Sequence, residues 1–249
     1  MSEPSKNRAS IELEPRSGRG RRRHSQDTDS ELISAATRAD ILTAAESEFA
    51  THGFDGANIV EIARRTSTSK RMIYYHFANK RGLYQAVVQE AYASLRREGV
   101  FDNTDGLPPL AALREYAERT FESHLRHPNL VRLSLYENIS GAETLRDLRG
   151  AIGDYPSNLE PLEEILKAGQ DDGTIRSGLR LIDVYLLVVG ISFHTISNAH
   201  SIKALFGHDM LATPEVDQRR AMIGDMVCRY VATPEGLHAH APETVGPDA

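Results

Sequence analysis

The stretch NIVEIARRTSTSKRMIYYHF, residues 58–77, contains two short amphipathic segments separated by a run of hydroxyl residues. In the first segment the apolar residues recur on one face of a helix, after the helix-capping residue Asn58. In the second segment Ser69 can cap a helix whose apolar side carries Ile73 and Phe77. The connection between the segments is only Thr66-Ser67-Thr68. This pattern predicts a helix-turn-helix.

The residues before this stretch also have helical spacing. Thr37 followed by Asp40 matches a capping box that opens a first helix, and Gly53 supplies a C-terminal stop. Asn58 followed by Glu61 repeats the capping-box pattern at the start of the next helix. Two helices are therefore predicted between residues 37 and 65.

The rest of the chain is also predicted to be helical. Pro108 and Pro109 stand where a helix can start, and His127-Pro128 breaks that helix. Further helices are predicted over about 80–98, 109–126, 128–139, 157–170, 181–198 and 213–232. We find no alternating strand pattern and no internal repeat, so the chain is predicted to be all-α.

Charge is distributed unevenly along the chain. Residues 1–81 contain 14 Lys plus Arg against 11 Asp plus Glu, a net of +3, whereas residues 82–249 contain 15 against 24, a net of −9. Residues 16–24, RSGRGRRRH, contain five Arg and no acid. A basic end on an acidic body is typical of proteins that bind a polyanion, although two solvated charged surfaces are the simpler alternative.

Several functional classes find no support in the sequence. One cysteine, Cys228, excludes an internal disulfide framework and fits a reducing cytoplasm, where we expect the protein to be located. No apolar run approaches the length of a membrane span, so no membrane partner is expected. Spacings typical of a catalytic triad, a zinc protease or a phosphate-binding loop are missing, and the histidines lack metal-ligand spacing. We expect no enzyme, no cofactor and no metal.

The second helix of the motif is predicted to contact DNA. Its first turn, which in such motifs enters the major groove, carries Lys70, Arg71 and Met72. Arg71 can bind a guanine with two hydrogen bonds, and Met72 can touch a thymine methyl. Because Tyr74 and Tyr75 lie on either side of the helix face that buries Ile73, at least one ring must point outward. The predicted DNA-binding residues are Asn58, Thr68, Ser69, Lys70, Arg71, Met72, Tyr74, Tyr75, His76 and Lys80.

Four short patterns between residues 37 and 95 indicate a family. They are F-x-x-x-G-F (Phe49, Gly53, Phe54), the I-A pair (Ile62, Ala63), I-Y-x-H-F (Ile73, Tyr74, His76, Phe77) and N-K-x-x-L (Asn79, Lys80, Leu83). With these patterns the segment resembles the N-terminal DNA-binding domain of the TetR family of bacterial transcriptional regulators. It departs from that family at the turn, which usually has Ala-Gly-Val where this chain has Thr66-Ser67-Thr68.

The resemblance implies a homodimer with a helix-turn-helix on each subunit and a C-terminal helical domain that binds a small molecule and dimerises. The expected divisions are a disordered basic arm (1–36), the helix-turn-helix domain (37–83, with its fourth helix continuing to about 98), the regulatory and dimerisation domain (84–233) and a disordered tail (234–249). Residues 127–147 and 198–231 resemble, more weakly, a branch of the family in which some members control catabolic operons.

The regulatory half contains one helix, Leu181–Asn198, that is apolar on nearly all sides and so needs cover on both faces. We predict a dimer interface formed by this helix and the last one; burial at the centre of a monomer is the alternative. The predicted interface residues are Tyr185, Val188, Ser192, Met222, Met226 and Tyr230. Polar or aromatic residues on apolar helices are predicted to line an effector pocket, although each could be a satisfied core residue. They are Phe121, His124, Tyr136, Asn138, His194 and Asn198.

These expectations combine into ligand-controlled repression. Two helix-turn-helix units bind successive major grooves of a palindromic double-stranded operator, and an effector of unknown identity favours a dimer geometry with the wrong spacing. An activator of the same architecture is an alternative. A non-specific nucleic-acid binder driven by the Arg-rich arm is another, and its binding should fall steeply with salt and ignore sequence.

Overall fold

The computed structural model describes residues 19–97, 104, 106–150 and 159–240. In these residues the backbone forms α-helices and one isolated bridge between Ile175 and Ala232, which confirms the predicted all-α fold. The helices are α1 (Arg19–Gly56), α2 (Ile59–Arg65), α3 (Lys70–Phe77), α4 (Lys80–Arg97), α5 (Pro109–Arg126), α6 (Pro128–Ile139), α7 (Glu143–Asp147), α8 (Glu160–Asp171), α9 (Leu181–Ser197), α10 (Ala199–Phe206), α11 (Thr213–Val231) and α12 (Pro234–His240).

The first core joins the end of α1 to α2, α3 and α4. Phe49 of α1 packs edge-on against Tyr84 of α4, with ring centroids 4.9 Å apart, and Ile62 and Ile73 are fully buried beside them. Leu133 of α6 joins the same cluster. The helix-turn-helix is therefore held from behind by α1 and α4, and α6 packs against that support.

The second core joins α5, α8, α9 and α11. It is centred on α5, from which Leu113, Tyr116 and Phe121 are buried against Val184 of α9 and Val227 of α11. Helices α11 and α5 approach closely at Gly224 of α11, where an added Cβ would lie 2.9 Å from Cγ of Arg114. This core carries the helices that were predicted to bind an effector and a partner subunit.

The start of the first helix differs from the prediction. The chain divides between Asp40 and Ile41 into two compact units, and α1 begins at Arg19, well before Thr37. Thr37 is not a capping residue, since its Oγ1 donates to the carbonyl oxygen of Ile33 at 2.9 Å, one helical turn earlier. The predicted arm thus becomes helical within residues 19–36, and residues 1–18 lie outside the described residues.

Three short helices were not predicted. α7 and α10 contain too few residues to establish a period, and α12 occupies part of the segment expected to be a disordered tail. Thr233 starts α12, because its Oγ1 accepts the Gly236 N–H at 3.0 Å while its own backbone N–H donates to Thr174 O at 2.9 Å. Residues 241–249 of the predicted tail lie outside the described residues.

Within the described ranges, no single helix is long and apolar enough to cross a membrane. The consecutive helices α9 and α10 reach the necessary length and composition only together, and they are bent by 62° with respect to each other.

Candidate nucleic-acid interface

Both helices of the helix-turn-helix have the predicted capping residues. Asn58 Oδ1 accepts the Val60 N–H at 2.9 Å, and Ser69 Oγ accepts the Met72 N–H at 3.2 Å. The reciprocal half of the predicted capping box at Asn58 is wrong. Glu61 pairs with Arg64 at 2.9 Å, and the Asn58 N–H donates instead to Glu48 Oε1 at 3.0 Å.

Glu48 is a positioning residue that the sequence pattern did not reveal. Its carboxylate is almost fully buried on α1, where it accepts the Asn58 N–H and lies 3.1 Å from the Arg65 guanidinium at the end of α2. One buried acid therefore holds both ends of α2. The only signal in the sequence is an acidic residue between the inward positions Ala45 and Phe49.

The turn uses hydroxyl residues in place of glycine. Ser67 has φ 52°, in the left-handed region that favours glycine. Thr66 Oγ1 donates to the Ile62 carbonyl at 3.0 Å, and the Thr68 N–H donates to the Ala63 carbonyl at 3.3 Å. The Thr66 hydroxyl therefore closes the end of α2, which accounts for its presence at that position.

The helix α3 separates a buried side from an exposed side, as predicted. Ile73 and Phe77 are buried, and the residues of its first turn and its cap, Ser69 to Met72, are exposed. The structure also distinguishes the two tyrosines. Tyr75 is 77% exposed, whereas Tyr74 is half-buried against the first core with the Lys70 ammonium 5.6 Å from its ring centroid. Tyr75 therefore carries the outward ring.

The remaining predicted contact residues lie around the rim of this surface. Asn58 is exposed and Thr68 is half-buried. His76 packs edge-on against the Tyr75 ring at 5.3 Å, and its Nε2 is buried without a hydrogen-bond partner. The Lys80 ammonium donates to the Asp55 carbonyl at 3.1 Å and lies over the Phe54 ring, so it also links α4 to the end of α1.

This surface has a net positive charge, and of its cations Arg64 and Arg65 are paired with Glu61 and Glu48. Between residues 59 and 77 the chain contains the cations Arg64, Arg65, Lys70 and Arg71 and a single acid, Glu61. Lys70 and Arg71 are exposed in the first turn of α3, where the helix N-terminus adds a partial positive charge. Such a surface is complementary to a phosphate backbone, and its exposed Arg and Tyr can reach base edges.

A second site is a cavity of about 450 Å³ among α4, α5, α6 and α9. Two of the residues predicted to bind an effector, His124 and Asn138, line it. The other lining residues are Tyr92, Leu95, Tyr116, Thr120, Ser123, Leu130, Val131, Ser134, Tyr185, Leu186, Val189 and Phe193. Most of these were not predicted, because apolar residues on a helix do not by themselves indicate a cavity rather than a packed core.

The other four predicted pocket residues lie elsewhere. Phe121 is fully buried in the second core. Tyr136 packs its ring on Gly53, where an added Cβ would be 2.7 Å from Cε1, and donates its hydroxyl hydrogen to the Thr51 carbonyl at 3.2 Å. His194 is exposed, with its Nδ1 3.1 Å from Asn198 Nδ2. These side chains do not line this cavity, although Tyr136 lines another one beside Gly53, and their part in effector binding stays a prediction.

The polar groups of the cavity are held in different ways. The hydroxyls of Tyr92 and Ser134 are 3.0 Å apart and satisfy each other. On α5, by contrast, Ser123 Oγ and His124 Nδ1 are buried without a hydrogen-bond partner among the described residues. Burial, helped by the nearby His127, lowers the pKa of His124 to about 4, so its imidazole is neutral at physiological pH.

The predicted dimer interface is partly wrong. Val188 and Ser192 are fully buried within their own subunit, and Ser192 Oγ donates to the Val188 carbonyl at 2.8 Å. Tyr185 is half-buried at the cavity. The outward stripe of α9 instead contains Ile182 and Leu186. The three predicted residues of α11 are exposed: Met222, Met226 and Tyr230. In the described part of the chain, no group of His, Cys, Asp or Glu could hold a metal ion.

Two family models match the chain over separate segments. Residues 41–87 match the model described as bacterial regulatory proteins, tetR family, and residues 109–227 match a tetracyclin repressor-like C-terminal domain. The first segment includes the helix-turn-helix with its supporting helices. The second extends from the start of α5 into α11 and includes most of the cavity.

Individual proteins give the same result over most of the chain. The HTH-type transcriptional repressor NicS of Pseudomonas putida is 29% identical over 196 residues, which are 78% of this chain and 91% of that protein. The HTH-type transcriptional repressor SCO4008 of Streptomyces coelicolor is 28% identical over 158 residues, 63% of this chain and 77% of its own. The crystal structure of SCO4942 from Streptomyces coelicolor has a TM-score of 0.59 at 26% identity and covers 80% of this chain and 99% of its own.

Proposed function

Because this chain belongs to the TetR family of bacterial transcriptional regulators, we propose that it is a repressor that binds a palindromic operator as a homodimer and is released by a small molecule. Like its relatives, it is a DNA-binding regulator and not an enzyme. Regulators of this family bind DNA and act as dimers with small-molecule effectors. Control of a catabolic operon stays a prediction.

The exposed first turn of α3 is the observation that carries the proposal. Ile73 and Phe77 fix α3 against the first core, so Lys70, Arg71, Met72 and the Tyr75 ring project from a rigid element. In our proposal Arg71 binds a guanine and Tyr75 a phosphate or base edge, in a major groove. Two such helices about 34 Å apart would fit successive major grooves of a palindrome.

The exposed apolar residues of α9 and α11 support the homodimer. Ile182 and Leu186 on one helix and Met222, Met226 and Tyr230 on the other are large apolar side chains exposed to solvent, and Leu186 also lines the cavity. Large apolar side chains exposed on two helices in contact are typical of a protein interface. We therefore propose that these five residues replace the buried Val188 and Ser192 in the interface.

Helices α4 and α6 offer a path from the cavity to the DNA-binding surface. Both line the cavity, through Tyr92 and Leu95 of α4 and Ser134 and Asn138 of α6. The opposite end of α4 follows directly on α3, and Arg81 in its first turn lies 3.1 Å from Asp147 of α7. We propose that an effector moves α6 relative to α4 and changes the separation of the two α3 helices.

Contacts of α6 with the first core support this path. Glu137 is buried, accepts the Leu145 N–H at 3.2 Å and, by a hydrogen bond that adds to burial, raises the pKa of Tyr84. Tyr136 fits against Gly53, which has φ 68° and interrupts the helical dihedrals of α1. A shift of α6 would therefore disturb both α1 and α4.

Selection of binding sites from random DNA tests this proposal. We expect a palindromic consensus from the wild type. Arg71→Ala should lower affinity by about 1–3 kcal/mol, roughly 5-fold to 150-fold, and relax the preference at one position of each half-site. Tyr75→Ala should weaken binding as well.

Lys167→Ala on α8 provides the control, because it removes an exposed cation far from α3 in sequence and should leave binding unchanged. If Arg71→Ala and Tyr75→Ala both behaved like this control, the assignment of α3 to recognition would be wrong.

Deleting residues 1–30 should weaken binding to all sequences without altering the consensus. A reporter gene behind the selected site distinguishes repression from activation.

A further inference from the structure

Among the residues that the structure describes, no charged side chain lines the cavity among α4, α5, α6 and α9. We propose that the effector is an uncharged, mostly apolar molecule with ring-shaped parts and one polar group, and that this polar group pairs with the side chains of α5, His124 and Ser123. This inference rests on the proposed function, since it names the class of ligand for that same cavity.

The lining of the cavity disfavours both anionic and cationic ligands. No described Asp, Glu, Lys or Arg lines the cavity, and the imidazole of His124 is neutral because burial lowers its pKa to about 4. An anionic or cationic ligand would leave water without finding an opposite charge, which is costly. A neutral ligand avoids this cost.

The hydrogen bonds of the lining residues indicate which wall of the cavity binds the polar group of the ligand. On the side of α4 and α6 the polar atoms already have partners. Tyr92 and Ser134 bond to each other at 3.0 Å, and Asn138 Nδ2 donates to the Ser134 carbonyl at 2.8 Å. On α5, Thr120 Oγ1 donates to the Tyr116 carbonyl at 2.8 Å. In the described part of the lining, His124 and Ser123 have a buried polar atom without a hydrogen-bond partner.

Size and shape define the rest of the ligand. A volume of about 450 Å³ lies in the range of sites for drug-sized molecules. Four rings contribute to the walls, from Tyr92, Tyr116, Tyr185 and Phe193, and Phe193 is edge-on to His124 with centroids 6.1 Å apart. Aromatic walls favour flat ligands, which can stack or make edge contacts.

Three probes of one shape and different charge test the inference. They are the carboxamide, the carboxylate and the methylammonium derivatives of biphenyl, titrated at pH 7 into the full-length wild-type chain with calorimetry and thermal unfolding as readouts. The carboxamide should bind at least tenfold more tightly than either ion and raise the melting temperature. His124→Phe should weaken carboxamide binding several-fold, because it removes the polar partner and keeps a ring.

A matched pair of variants locates the binding. Ser134→Phe places a ring in the cavity and should abolish the carboxamide signal, whereas Leu135→Phe, at the next residue of α6 but outside this lining, should not. The inference is overturned if an ion binds as tightly as the carboxamide, if no probe binds at millimolar concentration, or if Ser134→Phe, folded by circular dichroism, still binds the carboxamide.

Failure of this inference can be distinguished from failure of the proposed function. Operator selection in the absence of any probe reports on DNA binding alone. A protein that selects a palindrome but prefers the carboxylate remains a regulator with a different class of effector. A protein that binds the carboxamide but selects no DNA contradicts the proposed function and leaves the cavity chemistry intact.

Discussion

Ser67 is the residue at which this chain departs most clearly from the turn its family usually has. Its left-handed φ of 52° costs a residue with a Cβ about 1 kcal/mol. We therefore expect Ser67→Gly to raise the free energy of unfolding by up to about 1 kcal/mol, since glycine adopts this dihedral without strain. The midpoint of urea unfolding at fixed protein concentration measures the change.

Ser69→Ala provides the matched control for this experiment. The substitution removes the cap of α3 only two residues away and should lower stability by about 1 kcal/mol. Opposite signs at two neighbouring serines are the expected result. Equal effects, or a loss of stability in Ser67→Gly, would contradict the assignment of strain to Ser67.

Single residues also mark how far the pattern of the sequence reached. The caps Asn58 and Ser69 and the buried Ile73 were predictable, because capping and helical period are local properties. The role of Glu48 was not, since its partners Asn58 and Arg65 come from the next helix and only the fold brings them to it. The placement of His194 and Tyr136 outside the cavity also depends on tertiary packing.

The junction between α3 and α4 is built around a glycine in close contact. A Cβ on Gly82 would lie 2.3 Å from the Phe77 carbonyl oxygen, while the Gly82 N–H donates to Asn79 Oδ1 at 2.8 Å. Gly82→Ala should therefore push the end of α3 away from α4 and lower operator affinity at least tenfold. A gel-shift titration with the selected operator measures this loss.

Gly150→Ala is the control for the junction, because no described residue lies within 4 Å of a Cβ added there. Its operator affinity should match that of the wild type. If Gly82→Ala also bound normally, with an unchanged melting temperature, the close approach at Phe77 would not set the position of α3.

The sequence predicted the existence of helix α9 but not its orientation. A helix that is apolar all round has no polar side to fix its rotation, so the sequence cannot say which stripe faces inward. Packing against α5 buries Val184 and Val188, and it leaves Ile182 and Leu186 exposed, the latter at the cavity. In α11, charged residues alternate with apolar ones, and the predicted outward residues Met222, Met226 and Tyr230 are exposed.

For the whole molecule, the exposed stripes of α9 and α11 predict the oligomeric state. Ile182→Glu combined with Met226→Glu would bury two unpaired charges in the proposed interface, and we expect a folded monomer with greatly reduced operator affinity. Light scattering at micromolar concentration gives the mass, and a gel shift gives the affinity. Leu135→Glu adds a charge to an exposed residue of α6 and should leave the dimer intact. A dimeric double variant would refute this interface.

The two ends of α3 share a backbone property that affects the entropy lost on DNA binding. Ser67 before the helix and Ala78 after it both have positive φ, at 52° and 61°, without being glycine. Side chains at these joints leave the backbone few alternative dihedrals, so α3 has little freedom to reorient before it meets DNA. The strain is taken up once, when the chain folds, and binding then loses correspondingly little conformational entropy. Replacing both residues with glycine would give a more stable protein whose recognition helix is freer to reorient.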